Sequence, residues 1–176
     1  MARICLILPE AMNDEQHAQF RRFPANLTRA LLRTGASTSA YLSLAASFAR
    51  GLLSAKDREL AILRVGALSQ SKYERMQHLG LAKQAGWTDE QIAAIEEGDQ
   101  MALGAREGAI LRFVDECVYR VRVSDSSFLA LKKLITEQEI AEITLLVGHY
   151  MMTARFLETL DVDLDDEPTP WSSLLS

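Results

Sequence analysis

The chain has little cysteine, no cluster of basic residues and no long apolar run, and each shortage excludes a class of protein. Its two cysteines, Cys5 and Cys117, stand far apart and form neither a CxxC pair nor a metal-ligand spacing. The three histidines and scattered carboxylates make no metal-binding motif either, so no metal site is predicted. The net charge is −5 and no basic patch alternates with aromatic residues, which argues against nucleic acid as a partner and against an anionic membrane surface.

The apolar runs are short. None approaches the roughly 20 residues that a membrane-spanning helix needs. The run before Pro9 is too short for the apolar region of a secretory signal and lacks a small-residue cleavage site. Free thiols fit a reducing compartment, so a cytoplasmic protein is the expectation.

What the chain does have is an ordinary globular composition. Apolar residues make up 48% and charged residues 24% of 176 residues, enough for one domain with its own core. We therefore predict a single domain over residues 1–176, with an extended N-terminal segment over residues 1–12. The acidic, proline-containing stretch over residues 161–176 is expected to be a C-terminal arm.

Helical signals recur from residue 13 to residue 160. Apolar residues follow the i, i+3, i+4 spacing of amphipathic helices. Residues that cap helix N-termini precede these stretches at Asn13, Ser54, Ser71, Thr88, Ser124 and Thr136. No stretch beyond residue 10 alternates as a strand does. The expected fold is an all-α bundle of about seven or eight helices.

Polar residues that suit a core poorly gather in one stretch, Ser54–Gly86, which reads as two helices joined at Ser69–Ser71. Glu74 and His78 are four residues apart and so share a helix face. The short joint folds the two helices back on each other, which brings Glu59 toward that face. Tyr73 adds a phenol beside Glu74.

Two interpretations of this polar cluster compete. A carboxylate beside an imidazole is a proton-transfer unit, because histidine titrates near neutral pH and the carboxylate fixes its tautomer. The structural alternative is that Glu74 only caps the helix that begins after Ser71, while a Glu–His pair at i, i+4 contributes only about 0.2–0.5 kcal/mol.

A resemblance to a known family favours the proton-transfer interpretation. The run RELAILRVGAL, followed by YE, a histidine four residues after the glutamate, and AGW, resembles the carboxymuconolactone decarboxylase family, which has the alkylhydroperoxidase-D-like (AhpD-like) helical fold. The late segment LLVGHYMMTARFLETL resembles the closing helix of that family. The resemblance covers about residues 24–160. It implies an AhpD-like bundle that assembles into trimers or hexamers, with a pocket bordered by Glu59, Glu74 and His78.

The family's peroxidase-type members use a CxxC, and here the resemblance places Ser71 and Glu74 at its two cysteine positions. Glu59 and His78 match the carboxylate and distal histidine of the family's proton relay, and Tyr73 stands at the middle histidine. A disulfide cycle needs an attacking and a resolving thiol, so dithiol peroxidase activity is not expected. Cys117, on an apolar helical stripe, is predicted to be a small buried hydrophobe.

The decarboxylase-type members need neither a metal nor an organic cofactor, so none is expected. The resemblance implies acid/base catalysis by Glu59, Glu74, His78 and Tyr73 on a small carboxylate or lactone. The substrate's negative charge calls for a cation, and Arg58, Arg64 and Arg75 are the candidates. Two alternatives stay open: peroxide reduction through a lone cysteine and an external thiol, and a non-catalytic oligomeric binding protein or scaffold.

Overall fold

A computed structural model describes residues 2–170 of the chain, and most of these residues lie in helices. Its nine α-helices are α1 (Asp14–Arg22), α2 (Asn26–Leu31), α3 (Ser37–Phe48), α4 (Ala55–Leu68), α5 (Lys72–Gln84), α6 (Asp89–Glu97), α7 (Ala105–Arg120), α8 (Asp125–Lys132) and α9 (Glu137–Leu160). Three single-turn 3₁₀ helices add Pro9–Ala11, Leu32–Thr34 and Gln100–Ala102.

The all-α prediction is confirmed, since residues 2–170 contain no strand. Residues 2–170 form nine α-helices, where about seven or eight were expected. The six-residue α2 and eight-residue α8 are shorter than a helix that is stable alone. Helices of this length depend on caps and tertiary packing, so apolar periodicity specifies their number poorly.

The predicted caps determine where most helices begin. Asn13, Thr88 and Thr136 each accept a hydrogen bond from the backbone N–H three residues on, at 2.9, 3.3 and 3.2 Å. In all three, the side chain at that third position accepts from the cap residue's own N–H, which completes the capping box. Two glycines with positive φ follow helix ends: Gly86, at 95°, is two residues after the end of α5, and Gly98, at 82°, comes directly after the end of α6.

The chain divides into two compact units. One comprises the chain up to Arg50 together with the chain from Phe156 on, and the other runs from Gly51 to Arg155. Within the first unit, the N-terminal segment is extended up to Pro9, and Arg3 donates its backbone N–H to the Leu160 carbonyl at 2.8 Å. The described part of the C-terminal arm is non-helical, and Asp165 accepts the N–H that opens α2 at 2.7 Å. Residues 171–176 of the predicted arm lie outside the described residues.

Helix α4 is the centre of the Gly51–Arg155 unit. It packs against α5, α6 and α7, and every residue from Glu59 to Gly66 is buried. A helix buried on all sides carries its polar residues into the core, where each must find a partner. Within the run from Glu59 to Gly66, the polar side chains in that position are those of Glu59 and Arg64. No helix of the described residues is long and apolar enough to cross a membrane.

Candidate functional site

The turn between α4 and α5 sets the geometry of the site. Gln70 has a φ of 54°, and the Ser71 backbone N–H donates to the Gly66 carbonyl at 2.9 Å, which folds α5 back on α4. The helices approach closely at Gly66, where a Cβ atom would lie 3.3 Å from Cβ of Glu74. This approach places the first turn of α5 against the side of α4.

The cap at Ser71 bears on where the Glu74 carboxylate lies. The Ser71 side chain accepts the Glu74 backbone N–H at 3.5 Å. In a full capping box the Glu74 carboxylate would accept the Ser71 N–H, but that N–H already bonds to Gly66. The Glu74 carboxylate lies instead near His78, with Oε2 at 3.8 Å from Nε2. The prediction that Glu74 and His78 share a face is therefore confirmed.

Glu59 and His78 meet across the two helices. Nδ1 of His78 lies 2.8 Å from Oε2 of Glu59, and the two side chains are 3% and 2% exposed. The other carboxylate oxygen, Oε1, accepts from Nε of Arg58 at 3.1 Å. An ionised carboxylate only accepts hydrogen bonds, so Nδ1 of His78 carries its proton toward Glu59. Glu59 thus fixes the histidine tautomer and leaves Nε2 for proton exchange.

Nε2 of His78 faces two oxygen atoms. The hydroxyl of Tyr150, on α9, lies 3.1 Å away, and the two rings meet edge to face with centroids 5.1 Å apart. Oε2 of Glu74 lies on the same side at the longer distance already given. The four side chains form one buried proton-transfer cluster, defined here as Glu59, Glu74, His78 and Tyr150.

A second buried histidine adjoins the cluster. The ring of His149 meets that of Tyr150 edge to face, with centroids 5.3 Å apart. Burial, and then the charge of His78, lowers the pKa of His149 to about 4. His149 is therefore neutral at neutral pH and adds no charge beside the phenol of Tyr150.

The structure brings only some of the predicted residues together. Glu59, Glu74 and His78 converge, Tyr73 is buried on α5, and the tyrosine whose hydroxyl lies near Nε2 is Tyr150. The contact joins residues 72 positions apart, so no local sequence pattern indicates it.

The three candidate arginines have different environments. Arg58 bonds to Glu59 and so adjoins the cluster. Arg64 instead bonds Asp115 and the carbonyl of Glu96, at 2.5 and 2.7 Å. Arg75 pairs with the Glu96 carboxylate at 2.6 Å. Of the three, Arg58 is the one that the structure places beside the site.

Neither cysteine belongs to the cluster. Cys5 is exposed in the N-terminal segment, and Cys117 lies half-buried on α7. Burial raises the pKa of the Cys117 thiol, which disfavours the thiolate that a peroxidase needs.

The described residues offer no ready metal site. Within residues 2–170, no group of three or more His, Cys, Asp and Glu side chains is placed to hold a metal ion. An open cavity of about 360 Å³ lies between the Gln100–Ala102 turn and helices α7 and α8. It is lined mainly by small residues and Arg112, and none of the predicted site residues borders it.

Comparisons with known proteins agree with this architecture. A model of the carboxymuconolactone decarboxylase family matches residues 28–116, half of the chain. No curated protein matches the sequence significantly.

Two solved structures share the fold at low sequence identity. One is a protein of unknown function from Agrobacterium tumefaciens, described as a candidate antioxidant defence protein AhpD. It aligns with a TM-score of 0.71 at 17% identity, over 78% of this chain and 96% of that one. The other is the alkylhydroperoxidase AhpD core of an uncharacterized peroxidase-related protein from Ralstonia eutropha. It aligns with a TM-score of 0.80 at 16% identity, over 94% of this chain and 93% of that one. At such identity the likeness establishes the AhpD-like fold.

Proposed function

Because the chain belongs to the carboxymuconolactone decarboxylase family, we propose that it is a cofactor-independent lyase that removes carbon dioxide from a small lactone acid. The observation that carries this proposal is the environment of His78. One ring nitrogen is held by a buried carboxylate at 2.8 Å, and the other faces a phenol and a second carboxylate. That arrangement fits general acid/base chemistry, for which an oriented histidine is the commonest group.

The reaction requires the protein to stabilise negative charge and to transfer a proton. The bond between the substrate carbon and its carboxylate breaks, and the electron pair moves into the conjugated lactone carbonyl. The resulting enolate carbon then takes up a proton. Oε2 of Glu59 lies 2.8 Å from Nδ1 of His78, and Oε2 of Glu74 lies 3.8 Å from Nε2, so a carboxylate lies near each ring nitrogen. We assign to His78 the transfer of the proton that the product requires.

Arg58 is the group we assign to the substrate's carboxylate. Its side chain is 19% exposed, whereas that of Glu59 is 2% exposed, so Arg58 links the buried cluster to the surface. A guanidinium has several donors and can hold a carboxylate while it keeps its bond to Glu59. Exclusion of water around Glu59 and His78 strengthens every charge interaction made there.

The test is release of carbon dioxide from carboxymuconolactone by the purified wild-type protein, followed by carbon-13 NMR. We expect turnover, and we expect His78→Gln and Glu74→Gln each to reduce kcat by a factor of about 10² or more. Circular dichroism of both variants should match the wild type. Turnover that survives both substitutions would show that the acid/base assignment is wrong. Absence of turnover in the wild type would favour the non-catalytic oligomer.

Peroxide reduction is the second candidate, since the Ralstonia eutropha neighbour is described as an alkylhydroperoxidase core. It would have to proceed through Cys5 or Cys117 with an external thiol. The double variant Cys5→Ser, Cys117→Ser decides the matter in an assay of peroxide consumption with dithiothreitol. We expect the two proteins to be indistinguishable. A loss of peroxide consumption in the double variant would show that the protein reduces peroxide through its thiols.

A further inference from the structure

The phenol of Tyr150 has a place in the cluster that the acid/base proposal above does not use. We propose that Tyr150 is the catalytic residue that hands the proton from His78 to the substrate carbon. This inference rests on the proposed lyase function. It adds the identity of the terminal acid, and it assigns that role to a residue of α9 rather than to Tyr73.

The hydrogen bonds of His78 set the order in which a proton can pass, from His78 to Tyr150. Glu59 accepts from Nδ1, so Nε2 is the nitrogen through which His78 gives and takes protons. At 3.1 Å the Tyr150 oxygen is within hydrogen-bonding reach of Nε2, and at 3.8 Å the nearest oxygen of Glu74 is beyond it. A phenol both donates and accepts, so Tyr150 can take a proton from Nε2 on one side and release its own on the other. Glu74 acts on Nε2 through its charge.

The surroundings of Tyr150 keep its phenol ready to donate. The residue is 5% exposed, and its ring meets the rings of both His78 and His149 edge to face. These contacts hold the phenol beside Nε2 of His78. A phenolate formed at Tyr150 takes up the proton that Nε2 carries.

The step balances in atoms and charge. After carbon dioxide has left, the phenolic O–H bond of Tyr150 breaks and a C–H bond forms at the enolate carbon. The phenolate then takes the proton from Nε2 of His78, which becomes neutral. Solvent supplies one proton to restore the imidazolium, so each turnover converts one carboxylate and one proton into product and carbon dioxide. No oxidant or reductant is needed.

The first test compares Tyr150→Phe with Tyr119→Phe, a control at a tyrosine that is 71% exposed on α7. With carboxymuconolactone in deuterium oxide, we expect Tyr150→Phe to reduce kcat by a factor of about 10² with little change in KM. We also expect the wild type to place deuterium on one face of the product carbon, and the variant to place it on both. Deuterium on one face at an unchanged rate in Tyr150→Phe would overturn the proposal.

The second test needs no substrate, so it separates failure of this inference from failure of the proposed function. Nitrogen-15 NMR of histidine-labelled protein reports on Nε2 of His78. We expect Tyr150→Phe to move that resonance through loss of the phenol, while Nδ1 keeps the signature of a proton donated to Glu59. Tyr119→Phe should move neither. An Nε2 resonance that is the same in Tyr150→Phe and in the wild type would refute the coupling, whether or not the protein turns over carboxymuconolactone.

Discussion

Two of the buried charged residues of helix α4, Glu59 and Arg64, have different surroundings, and the difference separates a candidate for chemistry from a structural residue. Arg64 is 7% exposed and bonds to Asp115 and to the carbonyls of Ile95 and Glu96. A guanidinium stays protonated at all relevant pH, so these bonds hold α6 and α7 to α4 without any proton movement. Glu59 bonds to Nδ1 of His78, and the other ring nitrogen, Nε2, can exchange a proton. Of these two residues, Glu59 is the functional candidate, because its partner is a histidine with a second ring nitrogen.

The largest expected effect is a loss of kcat at His78 with little loss of stability, and the reverse is expected at Arg64. His78→Gln should reduce kcat by about 10² or more, with a free energy of unfolding within about 1–2 kcal/mol of the wild type. Urea unfolding and carboxymuconolactone turnover are measured on the same preparations. Strong destabilisation by His78→Gln would mean that His78 serves the fold, and the distinction from Arg64 would be lost.

The converse change is Arg64→Met. It removes donors from a carboxylate and two backbone carbonyls, so we expect a loss of about 2–4 kcal/mol in the free energy of unfolding. The kcat of the folded fraction should be unchanged. Arg75→Met, which removes a more exposed ion pair to Glu96, is the matched control and should cost about 1 kcal/mol or less. Equal losses in the two variants would contradict the structural role of Arg64.

His149 predicts how stability depends on pH. Its pKa is about 4 in the folded protein against 6.5 in the unfolded chain, so between these values the unfolded chain binds the extra proton. The stabilisation is fully present above about pH 6.5 and is lost as the pH falls toward 4, by on the order of 3 kcal/mol. Urea midpoints from pH 7 to pH 4 should fall less steeply for His149→Gln than for the wild type. Parallel curves would show that His149 does not titrate as described.

The smallest expected effect is a difference in stability between two glycine variants, one of which disturbs Arg64. Gly86→Ala meets only backbone strain, since no atom lies within 4 Å of its Cβ, and should cost about 1–2 kcal/mol. Gly98→Ala adds a Cβ at 2.5 Å from the Arg64 guanidinium, so it should cost about 1 kcal/mol more. Thermal unfolding of the two variants measures the difference. Identical costs would mean that the guanidinium moves aside freely.

The sequence by itself determined the local structure, because caps and helical periodicity act over three or four residues. It was enough to place the starts of most helices and the shared face of Glu74 and His78. It also predicted that the Ser69–Ser71 joint would bring Glu59 toward that face, since a short turn leaves the chain few alternatives.

Only the tertiary structure decided which polar groups share protons. Tyr150 reaches His78 from a helix far along the chain, and no local pattern encodes such a contact. Arg64 contacts Asp115 and the end of α6, which are distant in sequence, so the sequence could not separate Arg64 from Arg58 as a substrate-binding cation. The role of Glu74 depended on one backbone N–H: because Ser71 donates to Gly66, the Glu74 carboxylate faces His78 and does not close a cap.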